Sequence, residues 1–170
     1  MFRTTITMTN MTDDLQPLGR GRYWEELPLG FTFTTFGRTI TESDLMSFVS
    51  ATGFNEVLFT DTEYLKTSSV IKGRVVPAML VYALSEGLVI PLMQGTGLAF
   101  FNATIDVKAP VFVNDTIHVE GEVIEAKPTS KGSNGIVRTL NKVLNQRGEL
   151  VLTYNPLRMM KGRATSPVAK

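Results

Sequence analysis

The stretch VVPAMLVYALSEGLVIPLM (75–93) decides how the rest of the chain must fold. It is the longest apolar run in the 170 residues. Pro77, Ser85, Glu86 and Pro91 interrupt it, whereas a membrane span needs about 20 mostly uncharged residues, so a buried core helix is the better reading. Pro77 suits the first turn of a helix, where its missing N–H has no partner to lose. From there Ala78, Met79, Leu80, Val81, Ala83, Leu84, Leu88 and Val89 place apolar side chains almost all round. A helix of that kind has to be enclosed on most sides by other elements.

The flanking sequence supplies the enclosure. Downstream, GLAFFNATIDVKAPV, DTIHVEGEVIEAKP, GIVRTLNKVLNQ and GELVLTYNPLRMMK read as four strands separated by turn residues. In the second of them Ile117, Val119 and Val123 face one way and His118, Glu120 and Glu122 the other. The turn in NQRGEL fits a hairpin between the last two strands. Upstream, GFTFTTFGRTI (30–40) is β-branched and aromatic and reads as a further strand. Thr41 then caps a helix, with Asp44 completing a capping-box pair, Leu45, Phe48 and Val49 on the apolar face, and Gly53 as the stop. DTEYLKTSS (61–69) reads as a short second helix capped by Asp61. One strand, then helices, then four strands is an α+β layout. An antiparallel sheet wrapped around a long buried central helix satisfies all of it, and that arrangement is the hotdog fold. The implied organisation is an irregular N-terminal arm (1–29), one hotdog domain (30–162) and a frayed tail (163–170).

Composition narrows the chemistry. The net charge of +1 gives no basic field for gripping nucleic acid. Cysteine is absent, which excludes disulfides and thiolate chemistry, and a single histidine argues against a histidine-cluster metal site. No apolar run near the N-terminus has signal-peptide length, so a cytoplasmic protein is the default, with no membrane partner.

Motifs then bring a family into view. KAPVFVNDTIHVEGEVIEAKP, followed by NGIVRTLNKVLNQRGELVLTYNPLRMM, resembles the MaoC-like branch of the hotdog superfamily, whose members carry a "PV…GDTI" element and a later "NQ.GE.V" hairpin. TITESDLMSFVSATG looks like the family's entry helix, and KGRVVPAMLVYALSEGL like its "GGRIAHGMLVASL" opening of the central helix. The resemblance runs over residues 31–161. It implies hydration of enoyl thioesters, or the reverse dehydration, on acyl-CoA or acyl-carrier substrates with no other cofactor, by an oligomer with the site at a subunit boundary. The family's hydratase loop reads roughly "GDxNPxHxD", and its Asp and His orient and activate water. Laid on TGFNEVLFTD (52–61) without gaps, Gly53 matches the glycine and Asp61 the final Asp, while Phe54 and Phe59 stand at the Asp and His positions. A phenyl ring has neither a proton to give nor a lone pair to accept one.

Other residues then become candidates. Glu56 and Asp61 are the nearest carboxylates and could form a rewired acid–base pair; the plainer reading has Asp61 capping a helix and Glu56 facing water. Asn55 could orient a water or a carbonyl, or serve only the turn. The resemblance implies that the Ala78 and Met79 N–H groups polarise a thioester carbonyl, since a helix N-terminus favours developing negative charge. Arg74, Lys72 and Lys108 could meet phosphates, or be ordinary surface charge. Phe54 and Phe59 either fill space or line a slot for an apolar acyl chain. His118 belongs on a polar strand face. Three functions remain open: a degenerate member of the hydratase family, serving as the non-catalytic subunit beside a complete MaoC-like chain or as a homo-oligomer with different groups; a small-ligand or acyl-CoA binding module; and a hotdog thioesterase, for which Glu86 lies far along its helix.

Overall fold

In the computed structural model, which describes residues 17–130 and 132–163, the chain enters through a 3-10 turn at Trp24–Glu26 and two short strands, β1 (Thr32–Thr34) and β2 (Arg38–Thr39). The early part of the arm and nearly all of the tail therefore fall outside the described residues. The sequence suggests one strand over 30–40, but the structure breaks it after Thr34. There the Thr35 hydroxyl accepts the Val119 N–H (3.0 Å), so a side chain takes a donor that a continuous ladder would give to backbone.

Thr41 starts α1 (Glu42–Thr52) with the expected reciprocal cap: its hydroxyl accepts the Asp44 N–H (3.2 Å) and its own N–H donates to the Asp44 carboxylate (2.9 Å). Gly53 ends the helix at φ 69°, a left-handed conformation that favours glycine. Two short helices follow, α2 (Val57–Thr60) and α3 (Thr62–Thr67), the first of them not visible in the sequence pattern. The central helix, α4, spans Ala78–Met93, with Pro77 as its N-cap residue rather than in its first turn.

Beyond α4 come six strands: β3 (Gly97–Asn102), β4 (Ile105–Val107), β5 (Thr116–Pro128), β6 (Asn134–Leu144), β7 (Leu150–Tyr154) and β8 (Leu157–Lys161). Two runs read as single strands are each divided. β7 and β8 part at Asn155–Pro156, where proline can give no ladder hydrogen bond, and β3 and β4 part opposite them. The two breaks are tied together: the Thr104 N–H donates to the Asn155 side chain (2.8 Å) and the Asn155 N–H to Thr104 O (3.2 Å). β7 and β8 thus lie end to end along β6, with β4 outside β7, β3 outside β8, and β5 with β1 and β2 on the other flank. The sheet is antiparallel throughout and curls around α4, which is the hotdog arrangement.

Ile117, Val119 and Val123 are completely buried, as their alternation requires, and pack with Leu80, Val81 and Val89 of α4 or in the smaller cluster around Leu27. Leu27 belongs to the 17–29 segment, so this segment contributes to the core. Enclosure of α4 is incomplete in the single chain. Met79, Ala83, Gly87 and Ile90 share one face and remain exposed, because the sheet curls over the opposite side only. Among the described residues no helix is long and apolar enough to cross a membrane.

Polar groups are also built into this interior, and two clusters of them tie elements together. Arg158 of β8 is 6% exposed, and its Nη2 bonds both oxygens of Glu86 on α4 (2.6 and 2.5 Å). Beside the pair, Tyr82 and Tyr154 meet edge to face at 5.2 Å, and burial, reinforced by the Glu86 charge, pushes the Tyr154 phenol far above its ordinary pKa. At the entry to β5, buried Asp115 accepts from the Phe112 N–H (2.9 Å), Gln146 Nε2 (2.7 Å) and Arg147 Nη1 (3.2 Å), joining the strand to the β6–β7 turn.

Burial would raise the Asp115 pKa, but the Gln146, Phe112 and Arg147 contacts outweigh it and hold the carboxyl below its usual range. A depressed folded-state pKa stabilises the fold above the unfolded value, about 3.9 for Asp, and that contribution is lost as pH falls through the folded value. Asp115→Asn is therefore expected to lower stability by about 2 kcal/mol at neutral pH, with the difference from wild type shrinking below about pH 4. Urea unfolding at a series of pH values measures it; a penalty that persists unchanged in acid would contradict the assignment.

Candidate active-site loop and apolar cavity

The loop between α1 and α3 is held at both ends by caps. Glu56 stands at the N-cap of α2, and its carboxylate accepts the Leu58 N–H (2.8 Å). Asp61 stands at the N-cap of α3 and accepts the Glu63 and Tyr64 N–H groups (2.9 and 3.0 Å). Both carboxylates are exposed. Asn55 is also exposed, its backbone N–H donating to Gly53 O (2.8 Å).

Between these caps the two phenylalanines meet. The Phe54 and Phe59 rings lie 5.6 Å apart at 36°, and Phe54 also meets Phe48 of α1 at 6.0 Å, edge to face. Their environments differ: Phe54 is 42% exposed and Phe59 8%.

Arg74 locks this loop from below. Its Nε contacts both oxygens of Glu42 at 3.0 Å, its Nη2 donates to Glu42 Oε1 (2.5 Å), and its Nη1 donates to the Phe59 carbonyl (2.5 Å). The hydrogen bonds and charge of Arg74 hold the Glu42 carboxyl below its usual range. The guanidinium is thus engaged within the chain, joining α1 to α2. Lys72 donates to Lys66 O (3.3 Å), and Lys108 is paired with Asp106. His118 is half-buried on β5, 3.7 Å from Glu120 and remote in sequence from the loop.

Beneath Phe59 lies a cavity of about 370 Å³. Phe59 and Leu58 bound it on one side, Ala78 and Val81 of α4 on another, with Val111 and Leu152 among the remaining walls. Of the residues singled out in the sequence, Phe59, Ala78 and Lys108 come together here; Phe54 joins through its contact with Phe59, and Met79 follows Ala78 at the helix start. Val81 N–H and Leu80 N–H already donate to Pro77 O (3.2 and 2.9 Å), leaving Ala78 and Met79 as the first helical donors, the pair that a helix cannot satisfy internally. Ile71, Val75, Val76, Val107 and Val151 also line the cavity and are not recognisable in the sequence as site residues. Strand alternation marks such residues as inward-facing, but a wall of a cavity and a filled core carry the same apolar signature.

This combination of curled sheet, central helix and loop-capped cavity has relatives. A family model described as the FAS1-like, dehydratase domain region matches residues 28–154. A mesaconyl-CoA hydratase from Cereibacter sphaeroides is 27% identical over 151 residues, covering 88% of this chain; the chain spans only 44% of that enzyme's length. A monoamine oxidase regulatory protein from Archaeoglobus fulgius superposes with a TM-score of 0.76 at 30% identity, over 84% of this chain and 96% of its own. The ChsH1–ChsH2 complex from Mycobacterium tuberculosis contains a chain with a TM-score of 0.66, over 79% of this chain and 98% of that one, and at 16% identity the likeness concerns the fold alone. The matched model covers most of the sequence, and the chain accordingly belongs to the FAS1-like dehydratase-region family of MaoC-like hotdog proteins.

Proposed function

We propose that this chain binds acyl thioesters, on CoA or an acyl carrier, without itself adding water to them, and that it serves as the non-catalytic subunit beside a MaoC-like chain with a complete loop. The observation carrying this reading is the Phe54–Phe59 ring contact at the two positions that match the family's Asp and His. The remaining carboxylates support it, since Glu56 and Asp61 each hold a helix N-terminus. Binding has the groups it needs: an apolar cavity for the acyl chain, and the Ala78 and Met79 N–H groups for the thioester carbonyl. Asn55 is a candidate for a hydrogen bond to the thioester arm, and Arg74 acts by holding Phe59 in place.

The partner's position is supported by an open surface. Among the described residues β3 pairs only with β8, and it carries Leu98, Phe100 and Phe101, each more than 40% exposed, with Leu98 and Phe100 in one surface pocket with the exposed Ile90 of α4. An apolar edge strand without a charge or proline is a template for another strand. A second hotdog chain, identical or complete in its loop, would cover it.

The purified chain is expected to show no turnover above background with short or long trans-2-enoyl-CoA, monitored by loss of enoyl-thioester absorbance, and activity is expected only with a complete partner. Robust turnover by the chain alone, abolished by Glu56→Gln or Asp61→Asn, would overturn the reading in favour of a rewired acid–base pair.

A further inference from the structure

We infer that the cavity selects an uncharged aliphatic acyl group of short to medium length and rejects one ending in a second carboxylate. This rests on the acyl-binding reading above and adds the class of acyl group.

The walls supply the first reason. Phe59, Val76, Val81, Val111, Val151 and Leu152 are all buried, and among the described residues at the cavity the one ionic side chain is Lys108, an exposed side chain whose ammonium pairs with Asp106. Arg74, which holds the Phe59 carbonyl, is occupied by that carbonyl and by Glu42.

The backbone supplies the second. The Lys108 and Ala109 N–H groups both donate to Val151 O (2.9 and 3.2 Å), and the Val76 N–H donates to Val111 O (2.9 Å). The Leu58, Phe59 and Val75 N–H groups are likewise taken, by the Glu56 carboxylate, Glu56 O and Gly73 O, so these wall donors are used within the chain. An ionised carboxylate placed among such groups loses its water and gains no partner, which is strongly unfavourable. An alkyl chain loses nothing polar and gains apolar burial. The volume, about 370 Å³, is near the small end of ligand cavities, which limits the chain length.

This separates the chain from the mesaconyl-CoA hydratase it resembles, because a mesaconyl group carries a free carboxylate. Isothermal titration of the full chain with CoA, butanoyl-CoA, hexanoyl-CoA and succinyl-CoA tests it. Butanoyl-CoA and hexanoyl-CoA are expected to bind at least about tenfold more tightly than CoA, and succinyl-CoA no more tightly than CoA. Succinyl-CoA binding as tightly as butanoyl-CoA, which has the same number of acyl carbons, would overturn the inference while leaving acyl binding standing. If no acyl-CoA binds better than CoA, the acyl-binding reading falls and this inference with it. A gain-of-function variant gives an independent check. Ile71→Lys places an unpaired cation at a half-buried wall position and is expected to raise succinyl-CoA affinity about tenfold relative to butanoyl-CoA, with an unchanged circular dichroism spectrum. A folded Ile71→Lys protein with an unaltered succinyl-to-butanoyl ratio would count against the cavity as the acyl site.

Discussion

Glu86→Leu is expected to destabilise the fold by about 3–5 kcal/mol, while adding Arg158→Met to the same chain recovers most of the loss. The asymmetry follows from burial. Arg158 is 6% exposed and has Glu86 as its ionic partner. A guanidinium cannot shed its proton at any accessible pH, so removing the carboxylate leaves a charge stranded between helix and sheet. The converse change, Arg158→Met, is expected to cost less, because the Glu86 side chain keeps 21% of its surface and stays in reach of water. Removing both charges ends the desolvation problem, and a Leu–Met contact fits the surrounding apolar helix. Urea unfolding of the two single variants and the double variant closes the cycle. A double variant as unstable as the sum of the singles would mean that the pair does not act as a unit.

Phe59→Ala is expected to cost about 3–4 kcal/mol, against about 1 kcal/mol or less for Phe54→Ala. Both rings stand at positions where the family's loop carries titratable groups, but only Phe59 belongs to the main core cluster. Truncating it leaves a void next to the existing cavity, and the contacts of Leu58 and Val75 around it cannot simply close over the gap. Phe54 loses only its contacts with Phe48 and Phe59, and the ring is already 42% in water. Thermal and urea unfolding compare the two directly. Because Phe59 is also a cavity wall, its truncation is expected to shift binding toward longer acyl chains, an effect absent in Phe54→Ala. Equal costs for the two would place Phe59 outside the core.

The legible parts of the fold were those with local causes. Thr41 with Asp44, Gly53 and Asp61 declare helix ends through hydrogen bonds made within a few residues, and each end lies where that chemistry puts it. Alternation in β5 announced its buried side because the period of a strand is a property of the strand alone. The strand divisions were not legible. Thr35 breaks its strand through contact with Val119, and the Asn155–Pro156 break coincides with one near Thr104, far away in sequence. The Glu86–Arg158 pair left a faint trace, a lone acid in one apolar segment and a base within another, but 72 residues separate them.

The loop TGFNEVLFTD divides along the same line. Its residue types alone exclude proton transfer at Phe54 and Phe59, since no fold can give a phenyl ring an exchangeable proton. Its caps were foreseeable for Asp61 and not for Glu56, because α2 has only four residues and no pattern of its own. What the tertiary structure decided is the use of each group: Arg74 turned inward onto Glu42 and the Phe59 carbonyl, Phe59 made a cavity wall while Phe54 stayed at the surface, and one face of α4 left open beside the β3 edge. Composition and short-range pattern determine which chemistry a residue can perform and which way its element faces. Whether it meets solvent, a cavity or an opposite charge depends on contacts between segments that only the folded chain brings together.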